Sequence, residues 1–87
     1  MMIDLSVLEI RILLKCDEKT VSKRDITRFY HKHPKVDREQ AIANLITRGL
    51  LLAQELPKAN AKKTPTFYSL TEKGREWVQA YQANYPQ

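Results

Sequence analysis

The sequence holds one cysteine, Cys16, and two glycines, Gly49 and Gly74. A lone thiol closes no internal disulfide, so nothing in the chain asks for an oxidising compartment. Two glycines cannot build a phosphate-binding glycine loop and also serve the turns of the fold. No Ser-His-Asp set and no paired carboxylate site stands out, so an enzyme is not expected. Apolar runs are short, far below the roughly 20 residues that span a bilayer. The start, Met1-Met2-Ile3-Asp4-Leu5, lacks the basic region, apolar stretch and cleavage site of a signal peptide. An intracellular, cytoplasmic protein is therefore expected.

What is present fits one small domain over residues 1–87, with 43% hydrophobic and 29% charged residues. A chain of this size buries only about 60% of its unfolded surface or slightly more, so its core must be economical. The net charge of +5 is unevenly spread. Residues 19–38 hold seven Lys and Arg against two Asp, and Lys58, Lys62 and Lys63 form a second basic patch. A polyanion that touches both patches gains from counterion release. Ordinary solvated faces would carry similar charge, so charge alone does not decide the partner.

Periodicity and punctuation give the elements. A first helix is expected over about 6–16, opened by the capping box Ser6-Val7-Leu8-Glu9 with Leu5 as a staple to Ile10. A second, about 23–31, starts after Ser22 with Asp25 as its capping partner, and places Ile26, Phe29 and Tyr30 on one face. Thr20 and Val21 can supply a very short strand before it. Pro34 stops the second helix. A third, about 38–48, reads as capped by Asp37 with Gln40 answering and Val36 stapled to Ala41. Its inward stripe is Ile42, Leu45 and Ile46, its outward arc Gln40, Ala43, Asn44, Thr47 and Arg48, and Gly49 ends it. Leu50–Leu56 and Thr66–Leu70 then form a two-stranded hairpin over about 50–70, with a long basic tip. A last helix, about 72–85, is capped by Thr71 and carries a stripe of Gly74, Trp77, Val78, Tyr81 and Tyr85. The class is α+β, mostly α: a three-helix core, a two-stranded hairpin and a C-terminal helix.

Two stretches make this order more specific: A-I-A-N-L-I-T-R-G-L-L at 41–51 and Y-S-L-T-E-K-G at 68–74. Together they resemble the winged helix-turn-helix of bacterial and archaeal regulators, in particular the MarR-like and PadR-like families. The resemblance covers roughly residues 6–82. It implies that helix 38–48 is a recognition helix, that the hairpin is a wing, and that the partner is double-stranded DNA.

On that footing Gln40 and Asn44 are candidates for bidentate reading of adenine, and Thr47 for a thymine methyl or a phosphate. Lys23, Arg24, Arg28, Lys35, Arg38 and Arg48, with Lys58, Lys62 and Lys63 on the wing, are candidate phosphate contacts. Gln40 is equally explained as a helix cap, and the wing lysines as charge that keeps a long hairpin soluble. Asp37 and Glu39 put negative charge at the start of the third helix, which suits the helix dipole but opposes DNA. His31 and His33 with Cys16 make a poor metal set, so no metal and no cofactor are expected. Protonation of the two histidines would add to the basic patch in mild acid. Trp77, Tyr81 and Tyr85 serve either the core or a homodimer surface on a helix too long for so small a core. The leading expectation is a sequence-specific transcriptional regulator. A winged helix that docks on protein, and an architectural DNA binder with little sequence preference, are the competing readings.

Overall fold

The computed structural model describes residues 4–57 and 62–84. Helix α1 spans Val7–Glu18, strand β1 Val21–Ser22, α2 Lys23–Phe29, α3 Lys35–Thr47, β2 Leu51–Glu55, β3 Thr66–Leu70 and α4 Glu72–Asn84.

Local chemistry starts the first two helices. The Ser6 hydroxyl accepts from the Glu9 N–H at 3.2 Å, while the Glu9 carboxylate accepts from the Ser6 N–H at 2.8 Å. Ser22 and Asp25 repeat this reciprocal pattern at the start of α2, at 3.0 and 3.3 Å. Each box satisfies amide groups that the first helical turn leaves without partners.

The third helix departs from expectation. It begins at Lys35, not after Asp37, and Pro34 stands at its N-cap without a side-chain hydrogen bond. The Asp37 and Arg38 amides both donate to the Pro34 carbonyl, at 3.0 and 3.1 Å. Proline keeps His33 out of the α region, yet its own fixed φ lets the helix start on the next residue. Asp37 is thereby moved into the first turn, and the expected Asp37–Gln40 box does not form. The expected packing of Val36 against Ala41 also fails, because Val36 is exposed and Ala41 is buried.

Gly49 takes φ +75° at the end of α3, the left-handed conformation that a side chain disfavours. Its amide donates to the Ile46 carbonyl at 2.9 Å, and the Leu50 amide to Leu45 at 3.0 Å. Both bonds satisfy terminal carbonyls and turn the chain into β2. The Thr71 hydroxyl then clasps this corner, donating to the Gly49 carbonyl at 2.5 Å and accepting from the Gly74 amide at 2.9 Å. Gly74 is needed here because a methyl group would run into the Leu50 carbonyl.

Strand β3 is central in an antiparallel sheet of order β1-β3-β2. The expected two-stranded hairpin of β2 and β3 is joined by a third strand, one residue along from the Thr20–Val21 strand expected: Val21 pairs with Tyr68 and Ser22 with Phe67. On the other edge, Leu51 pairs with Leu70 and Glu55 with Thr66. Only Leu51 is buried in β2, so the hairpin leaves the core after one residue and projects as a wing. The core gathers Leu8, Ile12 and Leu13 from α1, Ile26 from α2, and Ala41, Ile42 and Leu45 from α3. Leu50, Leu51 and Tyr68 join from the sheet region, and Trp77 and Val78 from α4. Among the described residues no helix is long and apolar enough to cross a membrane.

Candidate nucleic-acid interface

The two-residue strand β1 decides where the charges of α2 go. Pairing Ser22 with Phe67 sets the first turn of α2 directly against the wing. A groove of about 900 Å³ results, lined by Lys23 and Arg24 of α2, Lys35 and Arg38 of α3, and Lys63, Pro65, Thr66 and Phe67 of the wing. Asp25 is the one carboxylate on it, and that group is engaged. The bond from the Ser22 amide, helped by the Ser22 hydroxyl and by nearby Lys19 and Arg28, holds the Asp25 carboxyl below its ordinary range against the opposing effect of desolvation. Five cations separated by as many as 40 positions in sequence therefore face one channel.

The remaining basic candidates are more scattered. Arg28 is exposed in the last turn of α2, outside the residues that line the groove. Arg48 is exposed at the C-cap of α3, and Lys62 is exposed beside Lys63. Lys58 lies outside the described residues. Arg38 has a second role: its guanidinium donates to the carbonyls of Tyr30 and His33, fixing the turn between α2 and α3. Lys15 and Lys19 were not candidates, and they stand 5.0 and 5.8 Å from the Phe29 ring centroid, on α1 and in the turn after it.

The base-reading candidates divide. Gln40 and Thr47 are exposed on the outward side of α3. Asn44 is instead turned toward α1, where its amide donates to the Glu9 carboxylate. That correction has a physical cause. Glu9 is only 7% exposed, and a buried carboxylate needs donors. The Ser6 amide supplies one, and Asn44 supplies another from 35 residues away. Burial pushes the Glu9 carboxyl up, but these bonds and the Arg48 charge outweigh it and hold it below its ordinary value. Sequence reasoning treated Glu9 as a cap alone; its place on a mostly buried helix was the signal that it needed a further partner.

Trp77 is also corrected as a dimer candidate. It is 8% exposed in the core and stacks on Tyr81 with centroids 5.3 Å apart. Tyr81 packs half-buried against the same cluster, and Tyr85 lies outside the described residues. Cys16 is buried, and loss of solvent raises its thiol to about 12. His31 is exposed with Nδ1 3.2 Å from the Arg28 carbonyl, while His33 sits edge-on to Tyr30. Among the described residues no three His, Cys, Asp or Glu side chains converge on a metal-sized site.

This arrangement, with a helix, a projecting antiparallel wing and a basic channel between them, is a winged helix-turn-helix. Solved structures share the fold. The adhesin competence repressor AdcR of Streptococcus pyogenes superimposes with a TM-score of 0.75 at 16% identity, over 94% of this chain and 58% of that one. PadR of Bacillus subtilis, in complex with operator DNA, gives 0.76 at 17% identity over 94% and 50%. RosR of H. salinarum gives 0.69 at 21% identity over 95% and 79%. The chain thus spans only half to three-fifths of the first two proteins. No protein-family model matches the sequence, and no curated protein matches it significantly.

Proposed function

We propose that this chain is the DNA-binding module of a transcriptional regulator and that α3 enters the major groove. The observation that carries the reading is the convergence of Lys23, Arg24, Lys35, Arg38 and Lys63 on one channel beside the exposed face of α3. Like charges crowded with fewer carboxylates than cations repel one another unless a polyanion neutralises them. A phosphodiester backbone laid between α2 and the wing does so, and fixes the register of α3 on the duplex. The shared fold of PadR, solved on operator DNA, supports the same reading.

Within it, Lys23, Arg24, Lys35 and Lys63 contact phosphates in the channel, and Arg48 and Lys62 extend the contacts on either side. Arg38 adds charge while holding the α2–α3 turn. Gln40 and Thr47 face the bases. Asn44 belongs to the scaffold. The test is a titration with random and genomic duplexes at several salt concentrations. Binding is expected to weaken with salt by about 0.9 log units per log unit for each phosphate neutralised. Absence of binding at low salt would overturn the reading in favour of a protein-docking winged helix. A steep salt slope without any preferred site would leave DNA binding but remove the regulator.

A further inference from the structure

The outward side of α3 carries no cation at its centre. At about 100° per residue, Val36, Gln40, Ala43 and Thr47 stand opposite the buried Ala41, Ile42 and Leu45. All four are exposed, Val36 to 66%, and Ile46 at the groove-side edge is 40% exposed. Packing explains none of this apolar surface, and a β-branched valine at an exposed helical site is mildly unfavourable. Positive charge lies only at the margins: Lys35 and Arg38 border the channel, and Arg48 stands at the far end.

We infer, resting on the DNA reading above, that α3 selects A·T-rich sites by contacting thymine 5-methyl groups with Val36, Ala43 and Thr47, while Gln40 pairs with an adenine. The base edges of the major groove decide this. Guanine is read by a bidentate Arg or Lys, and the central arc has neither. Cytosine offers an amino donor that suits a carboxylate, but Glu39 lies off the centre with Lys35 3.8 Å away. Asp37 is turned about 90° from the centre of the arc, toward the cavity at α1 that Gln40 and Asn44 also line. Thymine alone presents a methyl group, which gains by leaving water against an apolar side chain. Ala43 at the centre is short enough to let the helix approach the base edges closely. The flanking cations specify a nucleic acid as the occupant of this apolar strip.

The experiment selects binding duplexes from a random pool with the 87-residue chain, then replaces each thymine in the selected site by deoxyuridine. A·T-rich selection is expected, with about fourfold weaker binding for each contacted methyl removed and an unchanged salt slope. Val36→Thr and Thr47→Ser, both exposed and checked for folding by circular dichroism, should each shrink the uracil penalty as well as lower affinity. A purely structural role would not couple the protein methyl to the DNA methyl in this way. G·C-rich selection, no preferred site, or equal binding of the uracil duplex would overturn the inference while DNA binding stands. Loss of all binding at low salt would overturn the DNA reading and this inference together.

Discussion

The two flanks of α3 are built from similar polar residues and end in opposite states. On the side toward α1, Glu9, Ser6 and Asn44 answer one another, so a buried carboxylate has its donors. On the side toward the wing, Lys23, Arg24, Lys35, Arg38 and Lys63 share a channel with one engaged carboxylate. The first flank is closed and serves stability. The second is crowded with one sign of charge, which a stable fold does not require, and so points outward to a partner. Residue type does not separate these roles. Asn44 has the chemistry of an adenine reader and is used as an internal donor, whereas the cations of the channel outnumber the carboxylates beside them, Asp25 and Glu39.

This contrast is breakable. Replacing Lys23, Lys35 and Lys63 together by Gln is expected to lower DNA affinity on the order of 100-fold near 0.1 M salt, with a shallower salt slope. Thermal unfolding of that variant should be unchanged or slightly raised, because exposed like charges are removed. If affinity stays within a few-fold, the channel is not the phosphate path.

Asn44→Ala should act on the closed flank. It deprives a buried carboxylate of a donor and is expected to cost about 1–3 kcal/mol in denaturant unfolding. Base preference should be retained once the protein is folded. A change in preferred sequence without loss of stability would return Asn44 to the reading face.

The closed flank should also be sensitive to acid. Because the Glu9 carboxyl sits below its ordinary value of 4.5 in the folded chain, its contribution is complete above that value. It is lost as pH falls through the lower folded-state value, since the unfolded chain takes up the proton first. Glu9→Gln should remove this part of the acid dependence, measured as unfolding free energy between pH 5 and pH 3. An unchanged pH profile would mean that the bonds from Ser6 and Asn44 do not favour the ionised form.

The smallest effect is expected on the open flank. Glu39 borders the cations of α2 and α3 and pairs across solvent with Lys35. Glu39→Gln should raise DNA affinity a few-fold and leave stability within about 0.5 kcal/mol. Weaker binding would instead show that Glu39 orients Lys35 or reads a base.

Much of the fold was legible because its signals are local. Ser6 with Glu9, and Ser22 with Asp25, mark helix starts within four residues, and Gly49 marks a stop by its own backbone freedom. Apolar spacing found the buried faces of Ile42 and Leu45 and of Trp77 and Val78. At α3 the local signal misled, since Asp37 followed by Gln40 has the form of a capping box. Pro34 had already placed the helix start three residues earlier.

The sequence by itself determined the helices, the wing strands and the excess of positive charge, because these depend on neighbours a few residues apart. Tertiary structure alone decided the partners. It gave Asn44 to Glu9, put Trp77 in the core, and added β1 to the wing. A two-residue strand has too few positions to show periodicity, and a hydrogen bond spanning 35 residues leaves no spacing to read. Yet that strand carries the charges of α2 to the wing, and without it the two basic patches would remain only a feature of composition.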